Sequence, residues 1–123
     1  MFLQRLLTQN PELALAAVRL HQSERVRADT YLIDLDTVAA NAGYIRAAAE
    51  AHGLSVYFMA KQYGRNPDVS ATLVAAGLSS AVCVDLQCLN AHVRHGIPVG
   101  HVVHLVQPDR VPKRPFSRRI RKW

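Results

Sequence analysis

Residues 53–61 read GLSVYFMAK, and residues 77–85 read GLSSAVCVD. Each stretch opens on a glycine, the residue that takes the left-handed turn just past a helix. A leucine follows, suited to packing back on the last helical turn, and then a short apolar strand. A third such exit, Gly96-Ile97-Pro98, precedes HVVHLV at residues 101–106. A strand that follows a helix exit three times over is the mark of repeated β-α units, and crossovers of this length imply parallel strands with helices outside.

The intervals between these exits supply the helices. Asn66-Pro67 pairs an N-cap residue with the proline favoured at the first helical position, which starts a helix running to Ala76. Asp85 caps a further helix that reaches about His95. Upstream, YLIDL at residues 31–35 reads as a first strand, followed by a helix over 37–52 capped by Asp36. Before that lies a helical segment, residues 1–23, with a short helix over 2–8 and a second beginning at Asn10-Pro11. Residues 24–30 form a polar link.

The expected fold is therefore α/β, with about four parallel strands at 31–35, 55–60, 81–84 and 101–106. A complete (β/α) barrel takes about 250 residues, and 123 are present. The expectation is a partial, incomplete TIM-type barrel over residues 24–107. Neither G-x-G-x-x-G nor G-x-x-x-x-G-K-[ST] occurs, so the usual nucleotide-binding signatures are missing.

The net charge of +6 is local. Residues 108–123 hold seven basic groups against Asp109, whereas residues 1–107 balance eight against eight. Three prolines in the same stretch end the β-α rhythm. This irregular basic tail has three readings: a solvated tail, a nucleic-acid or anionic-surface tether helped by Phe116 and Trp123, or the trace of a broken reading frame. An incomplete parallel sheet with a neutral body favours the last, so the chain is expected to be a fragment. No apolar run reaches 18 residues, and Gln4, Arg5, Gln9, Asn10 and Glu12 interrupt the apolar start, which argues against a membrane span or a secretory signal. Two cysteines make no disulfide scaffold, and the cytoplasm is the expected compartment.

Lys61 is the residue with chemical promise. It follows an apolar strand and precedes a turn-rich loop, and ligand sites of parallel α/β proteins lie beyond the carboxyl ends of strands. Alternation puts Tyr57, Met59 and Lys61 on one face and Phe58 and Ala60 on the other. A lysine partly desolvated at such a rim becomes a nucleophile toward a carbonyl. Asp34 and Asp36 share a face at the expected first strand's end, with Asp36 as the helix cap. Arg65 reads first as a solvated loop residue, and otherwise as a charge offered to a carboxylate or to a partner chain. His92-x-x-His95 lies on a helix and His101-x-x-His104 on a strand, while Cys83 and Cys88 are split between a strand and a helix. None of these spacings is a zinc pattern, and no metal is expected.

With YLIDLD, VYFMAK-QYGRNP, SSAVCVDLQCLNAHVRHGIP and HVVHLVQ in view, residues 10–107 resemble the first half of the alanine-racemase-like family of pyridoxal-phosphate enzymes (fold type III). The resemblance rests on the strand, Lys61, Tyr63 and Gly64. It implies that Lys61 is the Schiff-base lysine and that it moves the substrate's α-proton. It implies pyridoxal 5'-phosphate as cofactor for the complete protein, an amino acid or related amine as substrate, and it allows a homodimer. Tyr63 is expected either beside the cofactor or as a core aromatic. The chain alone lacks the family's later half, including the second base of a racemase, and is expected to be inactive. Gln62 replaces the small residue that usually follows the lysine, which argues against alanine as substrate. The alternatives are a noncatalytic pyridoxal-phosphate-binding protein, a lysine Schiff-base aldolase needing no cofactor, or a small α/β domain binding nucleic acid through its tail.

Overall fold

The structure is a computed structural model and describes residues 2–102. Residues 103–106 of the expected strand 101–106, His104 among them, and the basic tail lie outside the described residues. The chain divides into two compact units, Met1–Asp34 and the remainder from Leu35.

In the first unit, α1 (Phe2–Gln9) and α2 (Pro11–Gln22) meet at Asn10. Asn10 caps α2 as its sequence predicts: its Oδ1 accepts from the Leu13 N–H at 3.0 Å, and Pro11 opens the helix. Its Nδ2 donates to Asp34 Oδ2 at 2.6 Å. No residue of α2 is buried.

The second unit runs α3 (Leu35–Glu50), β1 (Tyr57–Met59), a 3-10 turn (Ala60–Tyr63), α4 (Pro67–Ala75), β2 (Ser80–Cys83), α5 (Leu86–Arg94) and β3 (Val99–Val102). The three strands are parallel and ordered β1-β2-β3. Asn66 caps α4 by accepting from the Asp68 and Val69 N–H groups, and Asp85 caps α5 through the Cys88 N–H at 2.6 Å. All three helix exits form as expected. Leu54, Leu78 and Ile97 donate back to the carbonyls of Ala49, Leu73 and His92, with Gly53, Gly77 and Gly96 left-handed between. Leu78 and Ile97 thereby enter the core.

The four-stranded partial barrel is not what forms. The described residues hold an open sheet of three strands with five helices. Residues 31–34 join no sheet, Tyr31 is 94% exposed, and α3 already begins at Leu35. The apolar alternation of YLIDL suits a strand, but a strand must find an edge with which to exchange backbone hydrogen bonds. Here Asp34 is engaged by Asn10 instead, and the two aspartates flank a helix start, Asp34 just before it and Asp36 within its first turn. β3 starts two residues earlier than expected because the Pro98 carbonyl already accepts from the Ala81 N–H at 2.8 Å.

Alternation within the sheet is as read. Phe58 and Ala81 point into a core with Ala42 of α3, Leu78 and Ile97. Cys83 joins Ala60, Cys88 and Leu89 in a second cluster, and Tyr63 packs against both. Tyr57 stands on the opposite, open face, 42% exposed, and its ring lies where a side chain at Gly100 would be.

Candidate functional site at the strand ends

The backbone leaves β1 at Met59 and turns at once into the 3-10 turn that carries Lys61. Ala60 is fully buried and anchors the turn, while Lys61 is exposed, past the end of the strand, and not partly desolvated on the face of Tyr57 and Met59 as expected. The turn closes as the helices do: the Arg65 N–H reaches the Ala60 carbonyl at 3.0 Å and the Gly64 N–H the Lys61 carbonyl at 3.4 Å. Gly64 takes φ 68° and Arg65 φ 62°, two successive left-handed residues. A glycine meets the first at little cost. Arg65 has no such freedom, and an ion pair holds it: Nη2 lies 2.8 Å from Asp85 Oδ2. Its Nε is buried with no hydrogen-bond partner among the described residues.

Asp85 thus ties the loop after β1 to the start of α5. It accepts from the Cys88 N–H and pairs with Arg65, and these together hold its carboxyl below the usual range. Arg65 is thus not a purely solvated loop residue: its charge is paired within the chain, with Asp85. Asp85→Ala removes a helix cap and leaves Arg65 unpaired, and should cost about 1 kcal/mol in urea unfolding. Asp85→Asn keeps a capping oxygen and should cost less. Because the folded carboxyl titrates low, its stabilisation is complete above the ordinary carboxylate pKa. It is lost as pH falls through the depressed value, so the Ala variant and the parent should converge in acid.

Tyr63 sits on the inner side of the same turn. Its hydroxyl is 3.0 Å from Ser70 Oγ, and burial raises its pKa. Ser70, fully buried on α4, is 3.1 Å from His92 Nε2, and His92 Nδ1 is 2.8 Å from the Cys88 carbonyl. One proton arrangement satisfies the whole line: Tyr63 donates to Ser70, Ser70 to Nε2, and Nδ1–H to the carbonyl. Tyr63 thus packs, partly buried, against both core clusters, with its hydroxyl on Ser70.

Two thiols lie beside this imidazole. Cys88 Sγ is 3.7 Å and Cys83 Sγ 4.0 Å from His92 Nδ1. Both cysteines are free and buried, and burial among these neighbours pushes the Cys83 thiol up to about 12. Sequence spacing separates Cys83 from Cys88; the packing of β2 on α5 brings them together with His92. The readable part of the signal is Cys88-x-x-x-His92, one turn apart on a helix face. His95, the partner that the sequence suggests for His92, lies past the end of α5 and is exposed.

No helix among the described residues is long and apolar enough to cross a membrane. No family model matches the chain. Over 107 residues the sequence is 39% identical to the uncharacterized protein YhfX of Escherichia coli (strain K12). The aligned stretch takes in 87% of this chain and 28% of that protein, so the chain spans little more than a quarter of the relative it matches.

Proposed function

We propose that Lys61 is the amine that binds pyridoxal 5'-phosphate in a racemase-like enzyme of amino acids or related amines, of which this chain supplies the lysine-bearing part. The observation that carries the proposal is the exposed Lys61, two residues beyond the carboxyl end of β1, on a turn held by Ala60 inside and by Arg65–Asp85 outside. Lys61 is also the sole lysine of residues 1–112. The free thiols fit a reducing compartment, the cytoplasm.

The described residues fit the cofactor at one point, its aldehyde. Lys61 Nζ is free to meet a carbonyl in solvent, whereas Arg65 is already committed to Asp85 and Tyr63 to Ser70. When bound, the cofactor supplies a conjugated pyridinium that withdraws electrons from the substrate's Cα. Lys61 Nζ would hold the aldehyde carbon and would be the base for the proton at Cα. Groups for the phosphate and the ring nitrogen belong to a protein of YhfX-like length, and turnover is assigned to such a protein.

The chain's three lysines provide the test. After incubation with pyridoxal phosphate and borohydride reduction, peptide mass mapping reads the label at Lys61, Lys113 and Lys122 separately. Lys61 should be labelled at cofactor concentrations that leave the other two unmodified, and Lys61→Arg should abolish that selective label. Equal labelling of all three would overturn the assignment.

A further inference from the structure

We propose that Cys83, Cys88 and His92 form a binding site for a thiophilic divalent cation, zinc in the first instance, buried between β2 and α5. Three donor atoms, Cys83 Sγ, Cys88 Sγ and a His92 ring nitrogen, lie within 4.8 Å of one another. A tetrahedral ion with Zn–S near 2.3 Å and Zn–N near 2.0–2.1 Å requires sulfur–nitrogen separations of about 3.6 Å. The two measured here are 3.7 and 4.0 Å. The two sulfur–nitrogen separations thus lie within a few tenths of an ångström of that value, and the two sulfurs lie within 4.8 Å of each other.

The surroundings suit the imidazole as a ligand. A metal-bound histidine donates its other ring N–H to an outer partner, which fixes the ring. Ser70 Oγ stands 3.1 Å from Nε2 in that position. Ser70 has in turn an acceptor for its own proton, the Asn66 carbonyl at 3.2 Å, and can still accept from Tyr63. The line of hydrogen bonds is therefore satisfied in two senses. In one, Nδ1–H donates to the Cys88 carbonyl and no metal is bound. In the other, Nε2–H donates to Ser70, Ser70 to Asn66, and Nδ1 gives up its bond to the Cys88 carbonyl and turns its lone pair to the metal between the two sulfurs. On binding, each thiol releases its proton to solvent, two thiolate–metal bonds and one imidazole–metal bond form, and one coordination position stays available to a further ligand.

The test uses the full chain, reduced and stripped of metal, titrated with Co(II). The expected result is a thiolate-to-cobalt charge-transfer band and the intense visible bands of tetrahedral cobalt, saturating at one equivalent and abolished by one equivalent of zinc. Cys83→Ser and Cys88→Ser should each weaken or remove the charge-transfer band, with far-ultraviolet circular dichroism confirming that the helices persist. Absence of the band from the parent chain would overturn the proposal, as would a band unchanged in both serine variants. Lys61→Arg should leave the cobalt spectrum as it is, so the outcome is separate from that of the cofactor-labelling experiment.

Discussion

Replacing Phe58 with alanine should lower the stability of the chain by about 3–5 kcal/mol, the usual cost of emptying a buried aromatic site. Phe58 is 7% exposed at the centre of β1 and meets Ala42, Leu78, Ala81 and Ile97. Those neighbours come from α3, β2 and two of the three helix exits, so the ring ties several elements of the second unit together. Two of the four are alanines, which have no further side chain to move into the vacated space. Folded domains are stable by only about 5–15 kcal/mol, so this one change should remove a large share of the total. Urea unfolding followed by circular dichroism checks it, with Leu3→Ala as the control. Leu3 is 62% exposed on α1, and its loss should shift stability by no more than about 0.5 kcal/mol. Equal shifts for the two variants would mean that the core lies elsewhere.

What was legible in the sequence is what short-range chemistry decides. Asn10, Asn66 and Asp85 cap their helices because a side-chain oxygen two or three residues upstream of an orphan N–H is a local arrangement. The three glycine exits form for the same reason, since a left-handed residue and a back-bonded apolar neighbour lie within one turn. The parity of β1 survives too, with Phe58 inside and Tyr57 outside. YLIDL went the other way. Its pattern satisfies the local preference for a strand, but strand formation is settled by a partner edge, and no run of five residues encodes one. The aspartates that would end a strand serve a helix start equally well.

The site divides along the same line. The place of Lys61 just beyond β1 was legible because the end of a parallel strand is a position in the chain as well as in space. Tyr63 was half legible: its place in the loop was plain, but its bond to Ser70 depends on how α4 returns against the turn. The Cys83–Cys88–His92 group was not legible. One helical turn joins Cys88 to His92, but Cys83 reaches them only when β2 packs beneath α5, a contact set by the shared burial of Ala60 and Leu89. His95, nearer to His92 in the sequence than either cysteine, stays outside because α5 ends at Arg94.

His92→Ala should cost about 2–4 kcal/mol in the absence of metal, within the range for removing a buried side chain of this size. The imidazole is 2% exposed, and its loss empties space against Ser70, Cys83 and Cys88. Hydrogen bonding adds little to that figure. Ser70 can turn its proton to the Asn66 carbonyl and still accept from Tyr63. His92→Leu fills most of the volume with an apolar group and should therefore cost less than the alanine change when a chelator is present. Zinc separates packing from ligation. An ion that binds only the folded state adds about 2.7 kcal/mol at a free concentration one hundred times its Kd. The parent should gain that increment, and neither His92 variant should. The gap between parent and His92→Leu should thus widen by about 2.7 kcal/mol on going from chelator to zinc, as read from urea midpoints at fixed slope. A gap that stays constant would leave His92 as a packed, hydrogen-bonded core residue and nothing more.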